Sequence, residues 1–316
     1  MGILIALIPA IAWGSIGLIS GRMGGTARQQ TLGMTMGALV FGLALWAVEQ
    51  PTLTSKIWLI GIVSGLFWSI GQGQQFTSMK AVGISRTTPI STGMQLVANA
   101  LAGVLLFNEW HGNMYWIGSA SVIVLIAGAV LTSLTDKTDP NRSASENWGV
   151  GIRALILSTI GYAGYTIVVH YGNVNAQAVV MPQAVGMLLG ALIWSFKDKP
   201  WVVKATYRNI VTGLVWGIGN LFMFMAMAQI GQAVAYSLSQ MGIVISTFGS
   251  IYLLGEHKTK REMVYVVIGS ILVIVGGVAL SLMKASKALL KINYLIYRLK
   301  KSVEGAVTVS YQHLFC

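Results

Sequence analysis

Four polar or aromatic residues in the third apolar stretch of this 316-residue sequence, Ser64, Trp68, Gln72 and Gln75, are spaced by four, four and three positions. That spacing sets side chains on one face of a helix. The stripe joins carboxamides, which both donate and accept hydrogen bonds, to an indole whose face packs against C–H groups. Trp216 and Asn220 repeat the indole-then-amide pair four residues apart, while Ser91, Gln95 and Asn99 form another stripe. Gln240 and Thr247 lie beside Ser239, Ser246 and Ser250 in the ninth apolar stretch. A buried amide needs hydrogen-bond partners, so such stripes face another helix or a wet cavity. The Ser, Thr and Gly positions read first as helix-packing contacts. The Gln and Asn residues paired with Trp read as cavity lining, suited to a solute with hydroxyls and an apolar C–H face, such as a hexose. Trp13, near Gly14 and Gly17, reads equally as cavity lining or as an interfacial anchor.

The elements that carry these residues follow from composition. The chain is 55% hydrophobic and 9% charged, with a mean hydropathy of +0.70, whereas a soluble domain is about a quarter charged. Ten apolar windows are long enough to cross ~30 Å of hydrocarbon as helices. They fall near 3–20, 31–48, 57–79, 87–107, 114–134, 149–168, 178–196, 209–228, 233–254 and 263–283. The polar run from Thr135 to Asn147 separates two sets of five, giving a first repeat over 1–134, a linker over 135–148, a second repeat over 149–284 and a basic tail over 285–316. Pro9, Pro89 and Pro182 fall at or inside spans and predict local kinks.

The two sets read as copies. Gly14 and Gly17 recur as Gly161 and Gly164 at an offset of 147, and Trp68, Gly71 and Gly83 recur as Trp216, Gly219 and Gly231 at 148. Glu109 and Glu256 keep nearly the same offset, and a histidine, His111 or His257, closely follows each. Five spans per copy put the second copy into the membrane from the opposite side, so the expected fold is an all-α integral membrane protein of ten helices in a 5+5 inverted-topology repeat. Charge agrees: fourteen Lys and Arg residues fall in loops on one side, among them Arg22, Arg28, Lys80, Lys197 and Lys258, against Lys56 alone on the other. By the positive-inside rule the linker is cytoplasmic and the N-terminus outside. The six basic residues from Lys284 onward conflict with that rule.

The net charge of +12 therefore reads as loop charge, with no nucleic-acid partner, and the N-terminus has no basic region of the kind that precedes a cleaved signal. Cys316 alone cannot form an intrachain disulfide, and His111, His170, His257 and His313 are scattered without metal-ligand or nucleophile spacing. An enzyme, a metal site or a cofactor is not expected. No Asp, Glu, Lys or Arg falls at mid-span, which points to a neutral substrate. Glu109 and Glu256 at the ends of spans four and nine read either as solvated helix-end carboxylates or as carriers of a coupling proton; Glu49 and His170 are weaker candidates of that kind.

Three runs, TTPISTGMQL at 87–96, WGIGNLFMF at 216–224, and YSLSQ at 236–240 followed by LLGEHK at 253–258, resemble the bacterial glucose/ribose porters of the drug/metabolite transporter superfamily. The glucose-uptake branch is nearer than the ribose branch. The resemblance runs from about residue 3 to about 284 and implies a ten-helix inverted repeat and sugar uptake, with proton entry as the coupled step. Its runs point to Pro89, Ser91, Thr92, Gln95, Trp216, Asn220, Ser239 and Gln240 as family positions. Apart from Pro89, these and Trp13, Trp68, Gln72, Gln75 and Asn99 supply the twelve residues of the candidate sugar site, in a cavity expected between spans one, three, four, six, eight and nine. Uptake of ribose or of another neutral metabolite, and a membrane sensor that binds sugar without moving it, are the competing readings.

Overall fold

The structure, a computed structural model, describes residues 2–134, 136, 147–280 and 282. The expected tail and most of the linker lie outside the described residues. The described residues contain no strand. Ten long helices follow one another: α1 (Gly2–Met23), α2 (Ala27–Glu49), α3 (Ser55–Val82), α4 (Ile84–Leu101), α5 (Met114–Ser133), α6 (Trp148–Gly172), α7 (Ala176–Ser195), α8 (Ile210–Ile230), α9 (Gln232–Leu254) and α10 (Lys260–Leu280). Among the described residues nine are long and apolar enough to cross a membrane. The remaining one, α3, is the longest at 28 residues, and Gln72, Gln74 and Gln75 dilute its apolar character.

The helix ends follow local chemistry. Thr26 accepts from the Gln29 amide while the Gln29 side chain accepts from the Thr26 amide, a reciprocal cap on α2. Thr54 caps α3, Asn147 caps α6 and Asn175 caps α7. Gly83 and Gly231 turn the chain with φ of 89° and 82° immediately before α4 and α9, a region open to glycine at little cost. Two helices are irregular. Helix α4 widens into a π-helical stretch at Ala102–Leu106, and α9 tightens into a 3-10 turn at Gln240–Gly242. Pro9, Pro89 and Pro182 sit inside α1, α4 and α7.

Glycines let the helices meet at backbone distance. A methyl group at Gly14 would lie 2.5 Å from the Gly242 carbonyl oxygen, so α1 rests directly on the 3-10 turn of α9. Gly65 of α3 meets Gly186 of α7, and Gly213 of α8 meets Gly37 of α2. Small residues allow such approach where lipid leaves helices no hydrophobic drive to associate. Outside this interior, leucines, isoleucines and valines such as Leu4, Ile11, Ile123 and Ile193 are more than 60% exposed, as a hydrocarbon-facing surface requires.

Candidate functional site

The interior holds a cavity of about 70 Å³, room for several water molecules at the ~10–15 Å³ that each needs. Its wall is contributed by α1, α3, α4, α6, α8 and α9. Helix α1 supplies Trp13, Gly14 and Gly17; α3 supplies Trp68, Gln72, Gln75 and Met79; α4 supplies Thr88, Thr92 and Gln95. Across from them stand Tyr162 and Tyr165 of α6, Trp216 of α8, and Tyr236, Ser239, Gln240 and Ser246 of α9. Nine of the twelve residues expected to meet the solute therefore line one space. Ser91, Asn99 and Asn220 do not line it and are buried behind it.

Trp68 and Trp216 meet within the wall, edge to face with ring centroids 5.0 Å apart. Trp13 leans against Tyr236 at 6.3 Å. A methyl group at Gly219 would fall 2.5 Å from the Trp13 indole nitrogen, so Gly219 leaves the room that this ring occupies. These rings provide apolar faces, and the amides provide polar edges between them.

The amides are tied into one network. The Tyr162 hydroxyl lies 2.8 Å from Gln72 Oε1 and 2.9 Å from Gln75 Oε1. The Gln75 amide donates to Ser91 Oγ at 2.9 Å, and the Gln95 amide donates to the same oxygen at 2.6 Å. The Tyr236 hydroxyl donates to Gln95 Oε1. Ser91 is thus a bracket between two amides rather than part of the wall. Asn220 belongs to a separate buried cluster, in which its amide donates to Gln183 Oε1 at 2.7 Å and the Gln183 amide donates to Ser64 Oγ at 2.6 Å. Asn99 accepts from Thr166 at 2.7 Å and from the Gln232 amide at 2.9 Å, and its own amide donates to the Gln95 carbonyl.

Several buried polar groups have no protein partner. The indole N–H groups of Trp13 and Trp68 and the hydroxyl of Thr88 belong to wall residues and make no hydrogen bond. Buried donors are nearly always satisfied by protein or by something bound. Unpartnered donors around a cavity of amides and ring faces suit a neutral solute that carries oxygen acceptors and hydroxyls.

Glu109 and Glu256 differ from their solvated reading. The Glu109 carboxylate accepts from the backbone amides of Gln232 at 2.6 Å and Ala233 at 2.9 Å, in the first turn of α9. The Glu256 carboxylate accepts from Ile84 at 2.8 Å and Ser85 at 2.9 Å, in the first turn of α4. Each follows the end of one irregular helix and caps the start of the other. A carboxylate at a helix N-terminus satisfies otherwise orphaned amides and meets the positive end of the helix dipole. His170 Nε2 stands 3.4 Å from Glu109 Oε1. Among the described residues no group of His, Cys, Asp and Glu could hold a metal ion. Glu49, at the exposed end of α2, is remote in sequence position from every cavity residue.

Sequence reasoning missed the tyrosines and Gln183. Tyr236 could have been found, because it precedes Ser239 and Gln240 by three and four positions and so shares their face. Tyr162 could have been found too, because Ser158, Tyr162 and Thr166 are spaced by four on one face, whereas Gln183 follows Pro182 in a span with no such stripe.

The profile of a family described as "Sugar transport protein" matches residues 4–283. A Bacillus subtilis protein named "Glucose uptake protein GlcU" is 45% identical over 287 residues, covering 90% of this chain and all of its own. An Enterococcus faecalis protein named "Putative sugar uptake protein" is 50% identical over 288 residues, with the same coverage. A solved crystal structure aligns over 90% of this chain and 98% of its own with a TM-score of 0.68 at 16% identity, a likeness of fold alone. With its apolar helices and this kinship, the chain is a multi-pass membrane protein that belongs to the sugar transport protein family.

Proposed function

We propose that the chain imports a monosaccharide, glucose foremost, through the cavity between α1, α3, α4, α6, α8 and α9 by alternating access. The observation that carries the reading is the set of unpartnered indole and hydroxyl groups of Trp13, Trp68 and Thr88 beside the amides of Gln72, Gln75 and Gln95. Hexose oxygens accept from the indoles and amides, hydroxyls donate to the amide oxygens, and the ring's C–H face packs on an indole. The name of the Bacillus subtilis relative supports glucose over other sugars. Ser91 and Asn99 act from behind the wall on Gln75 and Gln95, and Asn220 ties α8 to α7 and α3 through Gln183 and Ser64. Trp216, Thr92, Ser239 and Gln240 complete the contact surface.

The reading includes two inverted five-helix repeats. The offsets of 147 and 148 support it, because residues that correspond by them do corresponding things. Trp68 faces Trp216, and Gly83 and Gly231 share the same turn conformation. Each glutamate binds the residues 83–85 or 231–233 of the opposite half, and the contact of Gly65 with Gly186 is matched by that of Gly213 with Gly37. Two halves related this way can rock about a central site. With the basic loops cytoplasmic, the Glu256 end faces the cytoplasm and the cavity extends toward it. The plasma membrane is the compartment this orientation describes, with the N-terminus outside. Glu109 and Glu256 then serve as clasps that part in turn. A proton on either carboxylate would convert one acceptor oxygen to a donor and release one of its two backbone amides, which is how proton entry would couple to opening.

Counterflow of radiolabelled sugars into proteoliposomes tests this directly. Glucose is expected to exchange fastest, ribose more slowly and an organic acid not at all, and an inward proton gradient is expected to raise accumulation. Binding of glucose without counterflow would make the protein a sensor, and accumulation indifferent to the gradient would remove the proton.

A further inference from the structure

A second feature lies on the outer surface, between α3 and α7. Leu66, Ile70 and Ile193 line a groove of about 290 Å³, floored by Ser69 and Gly190, that ends at Trp194 and Gln74. There it continues into a polar pocket of about 580 Å³ formed with Thr26, Arg28, Thr77 and Asp198, since Gln74 and Trp194 belong to both. From Leu66 to Thr77 the wall rises about 16 Å at 1.5 Å per residue, close to the ~15 Å of hydrocarbon in one leaflet. The polar pocket lies by the start of α2 and the end of α7, where a span of this length reaches the headgroups.

The pocket's chemistry is that of a phosphate site. Arg28 stands over the Trp194 ring with its guanidinium carbon 5.4 Å from the ring centre. It pairs with Asp198 through one nitrogen only, and the remaining donors of the planar fork are available for a phosphate. Both partners are more than 40% exposed, so the pair itself is weak. Lys197 and Lys199 flank Asp198 in sequence, and Lys80 lies three positions beyond Thr77 on α3, which leaves the surroundings net positive. Gln74, half-buried on the lipid side, makes no hydrogen bond among the described residues, and an amide at that depth needs a partner. A second outer groove of about 250 Å³, bounded by Val97, Trp110 and Ile123, has no basic residue in its wall, so it offers a built-in control.

We propose that the α3–α7 groove and the Arg28 pocket together bind one anionic phospholipid, an acyl chain along Leu66, Ile70 and Ile193 and the phosphate on Arg28. The glycerol esters meet Gln74, and the ring of Trp194 separates chain from headgroup. Native mass spectrometry of the full-length protein with phosphatidylglycerol and phosphatidylcholine of equal chain length tests it. The wild type is expected to retain one phosphatidylglycerol in preference to phosphatidylcholine, and R28A to weaken that retention about fivefold, the worth of one surface basic residue. I70W, which fills the groove, is expected to weaken it too. D198N, which frees the guanidinium, is expected to keep or raise it. Glycerol 3-phosphate, the headgroup chemistry without chains, is expected not to compete. Equal retention of the two lipids, wild-type retention in R28A or I70W, or full competition by glycerol 3-phosphate would each overturn the site. If R28A fails to fold, I70W and the glycerol 3-phosphate competition decide the question alone.

Discussion

The Glu109 end and the Glu256 end of the molecule are built on the same plan and finished differently. Both use a glutamate to cap the first turn of a helix that follows a positive-φ glycine. Behind Glu109 the interior is sealed: Gln232, Asn99 and Thr166 are buried and mutually bonded, and His170 stands against the carboxylate with its ring edge-on to Phe107 at 4.2 Å. The cavity lies on the Glu256 side instead, since its wall reaches Met79 and Thr88, a few positions from the turn at Gly83 that Glu256 caps. One plan thus yields a thick closure and a thin one. The alternating access proposed above needs such a difference between the two ends, and identical clasps alone would not supply it.

Five substitutions break or sharpen the contrast. E109A strands the two backbone amides of Gln232 and Ala233 and is expected to cost about 2–6 kcal/mol, at ~1–3 kcal/mol for each unsatisfied group. E256A strands the corresponding pair, of which Ile84 is partly exposed where Gln232 and Ala233 are both buried, and is expected to cost less, so thermal unfolding of the two variants side by side should rank E109A as the less stable. N99L removes the acceptor shared by Thr166 and Gln232 and should cost about 1–3 kcal/mol, with the loss absent when Thr166 and Gln232 are already replaced. T88V is expected to leave the melting temperature unchanged, since the Thr88 hydroxyl has no protein partner. It should weaken sugar affinity several-fold, as loss of a hydrogen bond worth about 1 kcal/mol would. H170A should have the smallest effect, within about 1 kcal/mol for a partly exposed pair.

Much of this plan was legible in the residues themselves. The ten windows match the ten helices to within a few residues because hydrocarbon thickness sets their length. The stripe of Trp68, Gln72 and Gln75 was readable because an amide among leucines and isoleucines stands out and helical periodicity assigns its face. The role of Glu109 and Glu256 was not readable. Their partners are backbone amides 123 and 171 or more positions away, and a backbone amide has no residue type to give it away. For the same reason Asn220 and Asn99 looked like wall residues: spacing gives the face of a helix, but which neighbour that face meets, a cavity or Gln183, depends on packing at glycine contacts that periodicity does not encode. The tyrosines share their faces with polar neighbours, but their ring bodies read as ordinary membrane interior until their hydroxyls are seen on Gln72, Gln75 and Gln95.

The most direct test of the account places one cysteine at each end in a C316S background, T88C in the cavity and A233C behind Glu109, and follows labelling by a small charged thiol reagent with and without glucose. T88C is expected to label, and glucose to slow that labelling in a concentration-dependent way while A233C stays protected in the sugar-free protein. Labelling of T88C that glucose does not alter, or ready labelling of A233C without sugar, would contradict a sugar cavity sealed at the Glu109 end.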